Sequence, residues 1–126
     1  MGTSSLVTKE GRYFNQNIKV RRFDDIYVRI GITGNSFLKI DVEGYEFNVL
    51  LGAEKFIDLN RPKILLEYSP CFYNVTDPTI GSKIYDFFTS KNYLVFDISE
   101  GEKYDRIDNF DKLPNAGQTN TYCIPN

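Results

Sequence analysis

With 126 residues, 41% of them hydrophobic and 25% charged, the chain has the make-up of one water-soluble globular domain with enough apolar material for a core. A formal net charge of −2, with Lys and Arg scattered along the chain, offers no broad attraction to nucleic acid or to anionic lipid, so neither is an expected partner. No apolar run approaches the ~18 residues of a membrane helix, residues 1–11 lack the apolar stretch of a signal peptide, and the cytoplasm is the expected compartment.

Residues 1–17 are polar and show no periodicity, which reads as a flexible leader or a cloning remnant, and the folded part is expected over 18–126. At 18–21 apolar and basic residues alternate, as in a short strand with one wet face. Asp24 or Asp25 can cap a brief helix running to Ile30, which Gly31 and Gly34 would end. Over 37–44 the alternation sets Leu38, Ile40 and Val42 on one face and Lys39, Asp41 and Glu43 on the other, the clearest strand of the chain. Beyond Gly44, Phe47, Leu50, Leu51 and Ile57 fall near helical spacing with a break at Gly52, giving one long helix or two short ones.

Pro62 opens a strand over 63–68 whose continuous apolar centre suits an interior position covered on both faces. Asp77-Pro78 starts a helix with Ile80, Ile84, Phe87 and Phe88 as its buried stripe. A strand over 93–98, a turn at 99–102, a short segment at 104–107, a loop over 108–118 and a last strand over 119–124 complete the chain. The two cysteines, Cys71 and Cys123, lack metal-ligand spacing in a chain without histidine and read as buried thiols. Strands alternating with helices imply right-handed crossovers, hence half of a doubly wound α/β fold: a mostly parallel sheet ending in an antiparallel strand pair.

In such sheets ligands gather beyond the carboxyl ends of the strands, which is where the charged residues fall. On a continuous strand Asp41 and Glu43 point to the same face, Gly44 permits a close turn behind them, and Glu67 occupies the equivalent end of the next strand. Three carboxylates there could supply a general base, orient a substrate hydroxyl or hold a hard divalent cation. Asp41 could equally be structural, accepting bonds from the following helix or pairing with Lys39 or Lys63.

The stretch Leu38-Lys39-Ile40-Asp41-Val42-Glu43-Gly44-Tyr45-Glu46, followed by Val49-Leu50, Gly52-Ala53, Arg61-Pro62 and then Ile64 to Glu67, resembles the signature of FkbM-type methyltransferases. Upstream, Phe23-Asp24-Asp25 is similar to the family's helix start, and downstream Thr119-Asn120 and Ile124-Pro125 are similar to its closing strand. The resemblance implies a class I, Rossmann-like three-layer fold and methyl transfer from S-adenosylmethionine to a hydroxyl of a sugar or secondary metabolite. It places Asp41 and Glu43 at the methyl end of the cofactor as catalytic residues, with Glu67 on the substrate side. Tyr45 and Phe47 depart from the usual small residue and Leu, a difference of pocket shape.

The family cradles its cofactor on a Gly-rich turn after the first strand, and Gly31-Ile32-Thr33-Gly34 is too sparse and precedes a strand instead of following one. The expectation is therefore the C-terminal half of the domain, with no cofactor-binding residues of its own. Its open sheet edge would be completed by the missing N-terminal half or by a second copy. The competing reading is a non-catalytic binding or scaffolding module derived from a methyltransferase.

Overall fold

Five short strands carry the fold, and burial alternates along four of them so that one parity faces helices and the other does not. The computed structural model describes residues 17–69, 77–99, 101, 103–113 and 119–126. In chain order these form β1 (Phe37–Ile40), α1 (Glu46–Gly52), α2 (Glu54–Asn60), β2 (Lys63–Tyr68), α3 (Ile80–Ser90), β3 (Tyr93–Asp97), β4 (Asp105–Ile107) and β5 (Thr119–Pro125), with single 3-10 turns at Phe23–Asp25 and Phe110–Lys112. Among the described residues no helix is long and apolar enough to cross a membrane.

The sheet order is β1-β2-β5-β3-β4. β1 and β2 run parallel, with Leu38 beside Ile64 and Ile40 beside Leu66. β5 lies antiparallel to both β2 and β3, so Cys123 stands next to Ile64 on one side and Val95 on the other. β4 pairs antiparallel with β3. The α/β class holds. β2 is interior to the sheet as its apolar centre predicts, but it is not covered on both faces: its burial alternates, with Ile64, Leu66 and Tyr68 on the buried side. The expectation of a mostly parallel sheet does not hold: β1, β2 and β3 share a direction, yet only the β1–β2 pairing is parallel among those described. The last two strands do not pair with each other either. β5 enters between β2 and β3, where it satisfies both of their edges at once, and that leaves β4 the outer place beside β3.

Leu38, Ile64, Cys123, Val95 and Ile107 make one continuous row across all five strands. The helices bring Leu50, Phe56, Ile57, Ile84, Phe87 and Phe88 onto that face, and together they form a single core. Right-handed crossovers that advance in one direction across a sheet put their helices on one face. The opposite row, Lys39, Leu65, Tyr122, Phe96 and Arg106, has no helix of the described residues above it. The described architecture therefore has two layers where three were expected. Ile84, Phe87 and Phe88 are the buried stripe of α3, as their spacing predicts. Cys123 is a buried free thiol whose pKa burial drives upward, so it is inert, whereas Cys71 lies outside the described residues.

Two N-terminal expectations change. The alternating segment at 18–21 forms no strand, because alternation alone makes no ladder without a neighbour, and Val20 is 77% exposed. The helix expected to run to Ile30 is only the 3-10 turn Phe23–Asp25. Asp24 caps a different helix: its Oδ1 accepts the Phe56 N–H at 2.9 Å and its Oδ2 the Lys55 N–H at 3.1 Å. These are second and third residues of α2, the positions an N-cap side chain satisfies, and Ala53 at the cap itself has no oxygen to offer. The break after Gly52 thus yields two short helices, with Phe23 and Tyr27 packing their rings edge-on against Phe56 beneath the bond. An Asp24→Ala protein is expected to lose about 1–2 kcal/mol, read as a lower urea midpoint with unchanged slope.

Candidate active site

β1 passes to α1 through a tight turn over residues 41–44. The strand stops at Ile40 because Glu43, at φ 50°, and Gly44, at φ 103°, occupy conformations that no strand accommodates. Asp41 and Glu43 therefore do not share a strand face as the alternation suggested. A left-handed backbone costs a non-glycine residue about 1 kcal/mol or more, and such strain persists where the surroundings enforce it.

Asp41 keeps the parity of Lys39, and the Lys39 Nζ donates to its Oδ2 at 2.8 Å. The β1–β2 register sets Ile40 beside Leu66, so the next step puts Asp41 alongside Glu67 at the carboxyl end of the parallel pair. The electrostatics report this proximity. The Glu67 carboxyl is pushed up, first by partial burial and then by the negative charge of Asp41, with Lys39 opposing and Glu43 adding to the rise. Lys39 is raised in turn by its hydrogen bond with Asp41. Asp41 and Glu67 thus come together, and Glu43 acts on them from the turn. The structural alternative for Asp41 holds in part, since Lys39 is its ion-pair partner, but the pair is half open to solvent and leaves the second carboxylate beside it. Among the described residues no group of three His, Cys, Asp or Glu side chains is arranged to hold a metal ion.

A cavity of about 310 Å³ lies on the helix side of the same turn, lined by Val20, Arg21, Phe23, Val42, Tyr45 and Val49 among others. Neither Asp41 nor Glu43 lines it. Val42, within the turn, and Tyr45, directly after it, belong to the cavity lining.

The residue that sequence reading passes over is Glu46. It opens α1, where acidic side chains are common, and nothing in its spacing distinguishes it from a solvated first-turn glutamate. In the fold it is 0% exposed. Its Oε1 accepts the Gly44 N–H at 3.1 Å and, more distantly, the Val42 N–H at 3.4 Å, while Oε2 is buried without a hydrogen-bond partner among the described residues. Burial pushes its pKa up against the pull of those N–H groups. A buried carboxylate oxygen without a partner is costly, which sets Glu46 apart from an ordinary first-turn glutamate.

A pair of adjacent carboxyls, one of them with a raised pKa, can accept a proton from a hydroxyl and donate a hydrogen bond to it at the same site. Comparisons with known proteins identify the family. The family model described as the methyltransferase FkbM domain matches residues 1–95, from the N-terminus through the first half of β3. No curated protein and no solved structure matches the chain. Because that match spans well over half of the sequence and contains β1, the 41–44 turn and β2, the chain belongs to the FkbM methyltransferase domain family.

Proposed function

We propose that this chain carries the acceptor side of an S-adenosylmethionine-dependent O-methyl transfer, with a hydroxyl of a sugar or secondary metabolite as acceptor. The observation that carries the reading is the juxtaposition of Asp41 and Glu67 at the carboxyl end of the parallel pair, beside a strained turn. When bound, the donor supplies a methyl group on a positively charged sulfur that departs as a neutral thioether. In this reading Asp41, which pairs with Lys39, takes the acceptor proton, and Glu67 beside it orients the hydroxyl. Glu43 contributes negative charge on the turn, which favours a sulfonium nearby.

The described residues fit the methyl end of this donor through that charge. They offer its adenosyl part no glycine-rich strand-to-helix turn, since the β1–α1 turn contains Gly44 alone. Co-directional β1, β2 and β3 with a reversed last strand among them support reading the sheet as part of a class I methyltransferase fold.

The test is calorimetric titration of S-adenosylmethionine into the full-length natural protein, followed by transfer of its labelled methyl group to a panel of sugar and secondary-metabolite alcohols. Binding with transfer to a hydroxyl is the expected result. Absence of both would remove the reading.

A further inference from the structure

We propose that Glu46 is the positioning residue of this site: from the first turn of α1 its Oε1 binds the Gly44 and Val42 N–H groups and so fixes the turn that presents Asp41 and Glu43. The inference rests on the methyl-transfer reading for its purpose, but the clamp itself stands on geometry. The turn has two residues in positive-φ conformations, Glu43 and Gly44, one of them unfavourable for its side chain. A segment of that kind holds its shape only if something outside it takes up its N–H groups. Among the described residues the Glu46 carboxylate is the side chain that takes up two of them, at 3.1 and 3.4 Å. It comes from a helix whose Leu50, one turn on, is also fully buried, so the clamp is anchored in the core.

The alternative is that Glu46 merely starts α1, as any first-turn carboxylate would. Its burial argues against that, because an exposed glutamate serves a helix start equally well without burying an Oε2 that has no partner among the described residues. Glu46 touches no reacting atom in this account; it acts through the backbone of its neighbours. Its effect should fall far more on rate than on donor affinity, because a base displaced from the line of transfer loses its alignment while the charge of Glu43 stays on the turn.

Glu46→Gln keeps an acceptor oxygen where Oε1 lies, and Glu46→Ala removes it. Amide hydrogen exchange of Gly44 and Val42, with Ile64 and Leu66 as core references, reads the clamp directly. In Glu46→Ala the Gly44 amide is expected to exchange about tenfold faster relative to the references, while Glu46→Gln stays close to wild type. Steady-state kinetics of the full-length natural protein should show kcat lowered about 100-fold in Glu46→Ala with KM for the methyl donor little changed, and Glu46→Gln restoring most of it.

Unchanged Gly44 exchange in Glu46→Ala would overturn the proposal. So would equal losses in the two variants, which would show that the acceptor oxygen is not what matters. If Glu46→Ala unfolds and the core references exchange with it, Glu46→Gln alone decides: Gly44 protection and kcat near wild type support the clamp, and loss of either overturns it. A wild-type protein without methyl transfer would sink the functional reading, while the exchange arm would still judge whether Glu46 holds the turn.

Discussion

Asp41→Asn is expected to leave the protein folded and to lower methyl transfer by about 10²- to 10⁴-fold, the range a positioned proton acceptor contributes. The asparagine keeps the shape of the side chain and an oxygen for Lys39 at the position now bonded at 2.8 Å. It cannot accept a hydroxyl proton at neutral pH. The lost ion pair is half exposed and belongs to the class worth under about 1 kcal/mol, so the urea midpoint should move little. A second signature separates this outcome from a general loss of structure. With the charge of Asp41 gone, one cause of the raised Glu67 pKa disappears, and a carboxyl-carbon NMR titration should find Glu67 lower than in wild type. An Asp41→Asn protein with full activity would move the proton acceptor elsewhere, with Glu43 and Glu67 next in line.

Gly81→Ala is expected to destabilise the fold by about 1–3 kcal/mol, the range for overpacking a filled core. Gly81 is buried in the first turn of α3, and a methyl group there would run into the Tyr68 hydroxyl and, at 2.8 Å, the edge of the Phe110 ring. Alanine ordinarily favours a helix over glycine by about 1 kcal/mol, so a net loss would mean that the clash outweighs the propensity. Neither neighbour moves easily, since Tyr68 is the buried last residue of β2 and Phe110 packs against the core. Gly52→Ala is the matched control. Its added methyl would meet only Arg22 and Phe23 backbone atoms at ordinary contact distances of 3.8 and 3.9 Å. Chemical denaturation of the two variants should place their midpoints on opposite sides of wild type or leave only Gly81→Ala displaced.

What the sequence discloses and what it hides divide along the reach of the interactions. Period-two and period-3.6 patterns report on burial, and burial is local: Leu38 and Ile40 and the stripe of α3 behave as their spacing predicts, whereas the unbroken apolar centre of β2 conceals that only alternate residues are buried. Sheet order is different, because nothing in 119–124 states that this strand will stand between β2 and β3 and not beside β4. The same holds for Asp24, whose helix-capping character is evident but whose client, α2, lies 31 and 32 residues further on. At the site, Asp41 and Glu67 are legible because strand ends in a parallel pair attract notice. Glu43 is misplaced by the same reasoning, since period-two logic cannot see that the backbone turns left-handed at that residue. Glu46 escapes altogether: burial of a glutamate is decided by what folds over it, and neither its neighbours nor its spacing disclose that.

The seat of β5 has a consequence for the order of events in folding. The last seven-residue strand of the chain occupies the middle of the sheet, and its Thr121 hydroxyl donates to the Leu66 carbonyl 55 residues earlier. During synthesis β2 and β3 emerge with their facing edges unpaired, and those edges must wait for β5 before either is satisfied. Pairings of such long sequence separation form slowly. The nascent chain is therefore most exposed to strand addition by foreign polypeptides until β5 has emerged, and deletion of 119–125 removes the keystone of the ladder.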